Sequence, residues 1–279
     1  MLLLLASYLF YGWWDWRFLS LIIFSSFLDY YAGLKIAEAQ NDKHAKNWLY
    51  VSLISNLGLL GVFKYYNFFA DSFATAMNTI GWQVDELTLN IILPVGISFY
   101  TFQTLSYSID IYRKNLAPTK DIISFFTYVS FFPQLVAGPI ERASNLLPQI
   151  EQKRVFNREQ FNQGILQISI GLFRKVVIAD NLAIYVDTVY GNSELYNSST
   201  LILGTILYSF QIYYDFAGYS DIAIGSAKLF GFNFAPNFNF PYFSKSVTEF
   251  WRRWHMSLSF WLRDYLYICY EYITILYLF

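Results

Sequence analysis

Charge is scarce in this chain. Lys, Arg, Asp and Glu supply 14% of its 279 residues, against about 25% in a soluble domain. The net charge is −1, which removes the basic footprint a nucleic-acid partner needs. Cys269 is the single cysteine, so no intrachain disulfide can form. Two histidines, His44 and His255, lie far apart; they build no zinc or haem ligand set, and no bound metal or cofactor is expected. There is no GxSxG elbow and no Walker-type or dinucleotide-type glycine loop, so redox and phosphoryl-transfer chemistry lack their usual signatures.

Apolar surface takes the place of charge. The chain is 56% hydrophobic and 22% aromatic, and runs long enough to cross about 30 Å of hydrocarbon recur along it. A soluble protein of this composition would expose large apolar patches. The reading is an all-α, polytopic membrane protein, one membrane domain over residues 1–279, with the lipid bilayer as its first partner. Met1 to Phe10 is apolar from the start, without the basic leader and cleavage site of a signal peptide. It reads as the end of a helix whose beginning is missing.

Spans and loops follow from the placement of Lys and Arg. Phe18–Leu34 reads as a span interrupted by Asp29, and residues 35–47 as a polar loop with Lys35, Lys43 and Lys46. Trp48–Ala70 reads as a second span. Residues 71–90 carry acids and no Lys or Arg, which puts them outside. Ile91–Tyr112 reads as a third span, broken near its start at Pro94 and Gly96, and residues 113–121 are basic again. The apolar segment Ile122–Ile140 has basic loops on both sides and holds Pro133 and Gly138-Pro139. It is either a re-entrant element, tolerated only where protein or a cavity surrounds the broken backbone, or a kinked span. Phe161–Tyr190 carries Arg174-Lys175 in its middle and reads as an interfacial helix followed by a span from about Val176. Leu201–Phe216 returns inward, and residues 233–246, rich in Asn, Phe and Pro, read as a cytoplasmic loop.

Two places could carry chemistry. On the helix from Leu201 onward, Gln211, Asp215 and Gly218 share a face at i, i+4, i+7, with Tyr214 and Asp221 close by. Such a stripe faces protein or water, not lipid. It is either the wall of a substrate path or a helix-packing network whose acids pair with basic residues of the 252–263 stretch. The second place is Trp251-Arg252-Arg253-Trp254-His255 with Arg263 beyond it. Read as one helix, it puts Trp251, His255 and Ser259 on one face at i, i+4, i+8. His255 can serve as a general base toward a hydroxyl. Arg252, Arg253 and Arg263 suit an anionic donor, or they are plain positive-inside anchors, with Trp251 and Trp254 an interfacial belt. His44 sits in a Lys-rich stretch and reads as a surface residue.

These residues carry a likeness. Tyr208–Leu266, with Tyr213–Asp221 and Trp251–His255 inside it, resembles the membrane-bound O-acyltransferase family. Ala6–Trp14, Leu93–Tyr100 and Phe131–Ile140 also resemble its signatures, and the match runs to about residue 268, leaving 269–279 as a divergent tail. Within the family the chain is similar to the bacterial branch that modifies exported polysaccharides such as alginate, with the D-alanyl transferases of teichoic acid as near relatives. The resemblance implies a ring of tilted helices with re-entrant elements on the cytoplasmic side. It implies acyl transfer from a cytoplasmic thioester donor, a coenzyme or a carrier protein, to hydroxyls of an acceptor outside the cell membrane, either a polysaccharide or a protein that relays the group. It implies an assisting role for the histidine at position 255 and a principal catalytic histidine further along. No histidine follows His255 here, so the expectation is a partial gene product, or else a divergent short form. A non-catalytic scaffold and a transporter lined by the polar stripe are the competing readings; no internal repeat supports the transporter.

Overall fold

The computed structural model describes residues 1–82, 92–136 and 138–267. Those residues are helical, with no strand among them. They divide into two compact units, Met1–Leu135 with Arg142–Ile150, and Val136–Glu141 with the chain from Glu151 onward. The tail 269–279 lies outside the described residues.

In the first unit, α1 (Leu2–Asp15), a single 3₁₀ turn and α2 (Leu19–Glu38) run as one helical stretch. Asp15 caps the turn by accepting the Arg17 backbone N–H at 3.0 Å. Leu2–Glu38 is long and apolar enough to cross a membrane, and it is the one stretch among the described residues that qualifies. The segment read as the 35–47 loop is mostly helix: α2 continues to Glu38 and α3 (Asp42–Leu60) starts after only three intervening residues. Asn41 allows that early start, because its side chain accepts the His44 N–H at 2.8 Å. A π-helical turn, Gly61–Tyr65, then leads into α4 (Tyr66–Thr79), so the acid-bearing stretch expected as loop from 71 onward is helical to 79. Residues 83–90 lie outside the described residues.

The break expected at Pro94 and Gly96 is present. Gly96 has φ +75° and α5 (Ile97–Tyr112) begins after it. Glycine is required there twice over, since a Cβ would also sit 2.4 Å from the Leu135 carbonyl oxygen. Ile122–Ile140 is interrupted as its prolines and glycine demand, into α6 (Ile122–Ser130), the one-turn α7 (Phe132–Leu135) and irregular chain beyond. The unit ends in α8 (Ala143–Glu151).

Asp29, the interruption in the first span, is fully buried. Its carboxylate accepts from Ser52 Oγ and from Asn56 Nδ2 at 2.7 Å. Ser25 Oγ donates to Asn56 Oδ1 at 2.7 Å, and Ser52 and Ser108 hydroxyls lie 3.0 Å apart. A polar group in an apolar core is tolerated when its bonds are made. This one ties α2, α3 and α5 together.

In the second unit, α9 (Arg158–Leu172), a π-helical stretch (Phe173–Ala179) and α10 (Asp180–Gly191) form one continuous helix. The Arg174-Lys175 pair therefore sits inside that helix, not at a boundary between two. α11 (Ser198–Leu229) spans 32 residues, well past the Phe216 end expected for it. Asn197 caps it, accepting the Thr200 N–H at 3.0 Å. α9 and α11 touch through backbone at two glycine pairs. A Cβ on Gly218 would lie 2.8 Å from the Gly171 carbonyl oxygen, and one on Gly225 would lie 2.7 Å from that of Gly164. On each helix the two glycines are seven residues apart (164 and 171; 218 and 225), which keeps them on one face.

This seam predicts an asymmetry. Gly218→Ala forces the backbones apart and lowers stability by about 1–3 kcal/mol. Gly58→Ala in α3, where an added methyl meets nothing within 4 Å, is neutral or stabilising by up to about 1 kcal/mol. Thermal midpoints in detergent read both; equal shifts would refute the seam.

Candidate acyl-transfer site

The irregular chain after α11 passes through Asn237, turns through a 3₁₀ turn at Pro241–Phe243 and enters α12 (Val247–Arg253). Ser246 caps α12 by accepting the Glu249 N–H at 3.1 Å, and Glu249 reaches back to the Lys245 N–H at 2.8 Å, a reciprocal cap of the Ser-x-x-Glu kind. That backbone N–H, together with Arg253, holds the Glu249 carboxyl below the usual carboxylate range.

α12 stops at Arg253 and α13 (Met256–Leu262) starts at Met256. Between them Trp254 is extended and His255 is left-handed, φ +41° and ψ +55°. The single helix face expected for Trp251, His255 and Ser259 therefore does not exist; the chain turns at His255. Left-handed backbone is uncommon outside glycine and costs about 1–3 kcal/mol unless its surroundings impose it. The surroundings do so through two backbone bonds, Asn239 N–H to the Arg253 carbonyl at 2.9 Å and Met256 N–H to the Asn237 carbonyl at 2.8 Å.

The His255 ring is enclosed on one side by Phe216 of α11, whose ring meets it edge to face at 4.7 Å between centroids. Its Nδ1 lies 3.0 Å from Asn237 Oδ1. Burial pushes the imidazole down to about 4 from an ordinary 6.5, so the ring is neutral at physiological pH. Trp254 packs edge to face on Phe238 at 5.2 Å and stacks on Phe250 at 5.5 Å. Tyr213 and Tyr242 close the cluster, and the Tyr242 hydroxyl donates to the Ser209 carbonyl of α11. Ser209 and Tyr213 thus meet the aromatic cluster and Phe216 meets the histidine, all from α11.

The acids of α11 lie on another face. Asp221 pairs with Arg174 and also accepts from Gln167 Nε2 at 3.2 Å. Asp215 pairs with Lys175 at 2.5 Å, and Lys175 also reaches Asp180 at 2.6 Å. Gly218 between them is a contact of the glycine seam. Both acids of the stripe are thus paired, and the cations come from the π-helical stretch after α9, not from residues 252–263 as expected. Gln211 keeps a buried side-chain oxygen without a partner, and Tyr214 stacks on Phe210 at 6.4 Å.

Of the three arginines, Arg253 is taken by Glu249 at 2.6 Å. Arg263 is taken by Asp264 at 2.6 Å and lies over the Phe260 ring. Arg252 is exposed, as is Trp251. Sequence reasoning missed Asn237 and the partners of Asp215 and Asp221. For Asn237 a signal existed: an amide between Pro236 and Phe238 in an apolar loop needs a polar partner.

The fold and this site define a helical membrane protein with a neutral, enclosed histidine beside a tryptophan cluster. The chain belongs to the MBOAT, membrane-bound O-acyltransferase, family, whose model matches residues 8–270, and membership implies a polytopic membrane protein. Over 271 residues, 96% of its length, it is 46% identical to a probable alginate O-acetylase of Pseudomonas syringae pv. tomato, of which the match covers 51%. It is 39% identical over 292 residues to a peptidoglycan O-acetyltransferase of Helicobacter pylori, covering 95% of this chain and 54% of that one. A teichoic acid D-alanyltransferase of Bacillus subtilis is 31% identical over 187 residues, covering 64% and 46%. The chain spans about half the length of the curated relatives it matches.

The depressed imidazole has a consequence for stability. The unfolded chain protonates His255 near 6.5, while the folded one resists to about 4. Its contribution is complete above pH 6.5 and is lost as pH falls toward 4. Thermal midpoints measured across that window should fall more steeply for the parent than for His255→Gln. Identical slopes would show the ring to be solvated.

Proposed function

We propose that this chain carries the acyl-transfer segment of a cell-membrane O-acyltransferase that acetylates hydroxyls of an exported polysaccharide of the alginate type. The observation that carries the reading is His255: a neutral imidazole, enclosed on one side by Phe216 and held by Asn237, on a left-handed backbone turn. The similarity to O-acetylases over 96% of the chain supports the reaction class.

A neutral imidazole accepts a proton where an imidazolium cannot. In the proposed step the His255 ring assists, orienting the acceptor hydroxyl and helping to take its proton as its oxygen attacks the thioester carbonyl. The new C–O bond forms, the C–S bond breaks, and the departing thiolate takes a proton in turn. The donor is a cytoplasmic acyl thioester, on a coenzyme or a carrier protein, and the acceptor is a polysaccharide or relay protein outside. Arg252, exposed and unpaired by any acid among the described residues, forms the donor entrance with Arg253 and Arg263. Gln211, Tyr214, Trp251 and Trp254 line the path, and Asp215 and Asp221 hold its wall through their cations. A ring of tilted helices around a thinned membrane centre, with Ile122–Ile140 re-entrant, completes the arrangement.

Cells that make the polysaccharide and express this gene test the reading through alkali-released acetate. His255→Ala should cut O-acetylation about 10²- to 10⁴-fold with the protein still present in the membrane. Unchanged acetylation would remove His255 from the chemistry. Transfer of D-alanine in place of acetate would point to the teichoic acid type of reaction, and no transfer by the parent to a scaffold.

A further inference from the structure

We propose that Asn237 is a positioning residue that decides which ring nitrogen of His255 carries the proton, keeping it on Nδ1 and leaving the Nε2 lone pair to act. The inference rests on the acyl-transfer reading for its purpose, but the protonated atom is a property of the folded chain and can be read without any activity.

Asn237 Oδ1 is approached by three groups: His255 Nδ1 at 3.0 Å, the Ser257 hydroxyl at 2.8 Å and the Ser257 backbone N–H at 3.4 Å. A backbone N–H only donates, so the amide must turn its oxygen toward it. With the amide reversed, its NH₂ would face that N–H. Oxygen accepts only, so the Nδ1 beside it must bear hydrogen. A neutral imidazole has one N–H, which leaves Nε2 as the acceptor.

The other end of the amide points the same way. Asn237 is 1% exposed, and its Nδ2 has no partner. Leaving a buried donor unmade costs about 1–3 kcal/mol. A side chain placed there for packing alone would be apolar, or would be paired at both ends. The position uses the oxygen. Asn237 also holds the backbone on the far side of the ring, because its carbonyl accepts the Met256 N–H at 2.8 Å. One residue therefore fixes both the left-handed turn at His255 and the orientation of its ring. An orienting partner on one imidazole nitrogen is how a histidine base is commonly held in the right tautomer.

The test uses the full chain labelled with ¹⁵N at histidine. His44→Gln removes the other imidazole, which has its own bond to Trp48, and leaves His255 as the one signal. Near neutral pH the parent should show a protonated Nδ1 and an unprotonated Nε2. In Asn237→Ala the population should invert toward Nε2–H. Asn237→Asp, which restores an acceptor oxygen at the same place, should bring Nδ1–H back. An Nε2–H ring in the parent overturns the proposal, and so does Nδ1–H persisting in Asn237→Ala. Should the alanine variant fail to fold, the parent and Asn237→Asp spectra decide. A parent spectrum with Nδ1–H and no loss of acetylation in His255→Ala would sink the acyl-transfer reading while leaving the tautomer assignment standing.

Discussion

A cation inside an apolar helix must be neutralised where it stands, and much of the second unit follows from that requirement. Arg174 and Lys175 lie in the middle of a continuous helix running from Arg158 to Gly191. Each has an acid on α11: Asp221 for Arg174 and Asp215 for Lys175. Exposed, such pairs would contribute little. In an apolar setting, breaking one strands a charge away from water, and that is costly. The acids can reach only if the helices come very close, and the glycine pairs at 164 with 225 and 171 with 218 permit that approach. Charge and glycine spacing are thus two halves of one constraint.

Once α11 is locked to its neighbour on that face, its remaining face is free to build the site. Ser209, Tyr213 and Phe216 meet the Trp254 cluster and His255. The histidine is desolvated by Phe216, oriented by Asn237 and raised out of helical geometry by its own backbone turn. Together they give a partly buried, neutral ring with Nδ1 against the Asn237 amide.

Much of this was legible from residue order. The helical class followed from long apolar runs, and Gly96 announced its own break. Asp29 was visible as an intrusion, though its partners Ser52, Asn56 and Ser108 come from other helices and no local pattern names them. The aromatic-basic motif drew attention to His255, but treating it as one helix failed, because the chain turns there. Helical periodicity cannot see a left-handed residue that is fixed by a loop about 18 residues earlier, and that loop's contribution, Asn237, is a long-range fact. The polar stripe on α11 was seen as a stripe; which cations it met was not, because Arg174 and Asp221 are 47 positions apart. Likewise the expected boundary at Arg174-Lys175 rested on the rule that charges end spans, which yields when a matching acid is within reach.

Asp221 serves Arg174 in the lock between α11 and its neighbour. A double-mutant cycle over Arg174→Met and Asp221→Leu, followed by thermal unfolding in detergent, measures it. The account predicts that each single change destabilises and the pair together costs less than their sum, by about 1–3 kcal/mol of coupling. Additive losses would contradict it and would free Asp221 for a role in the substrate path.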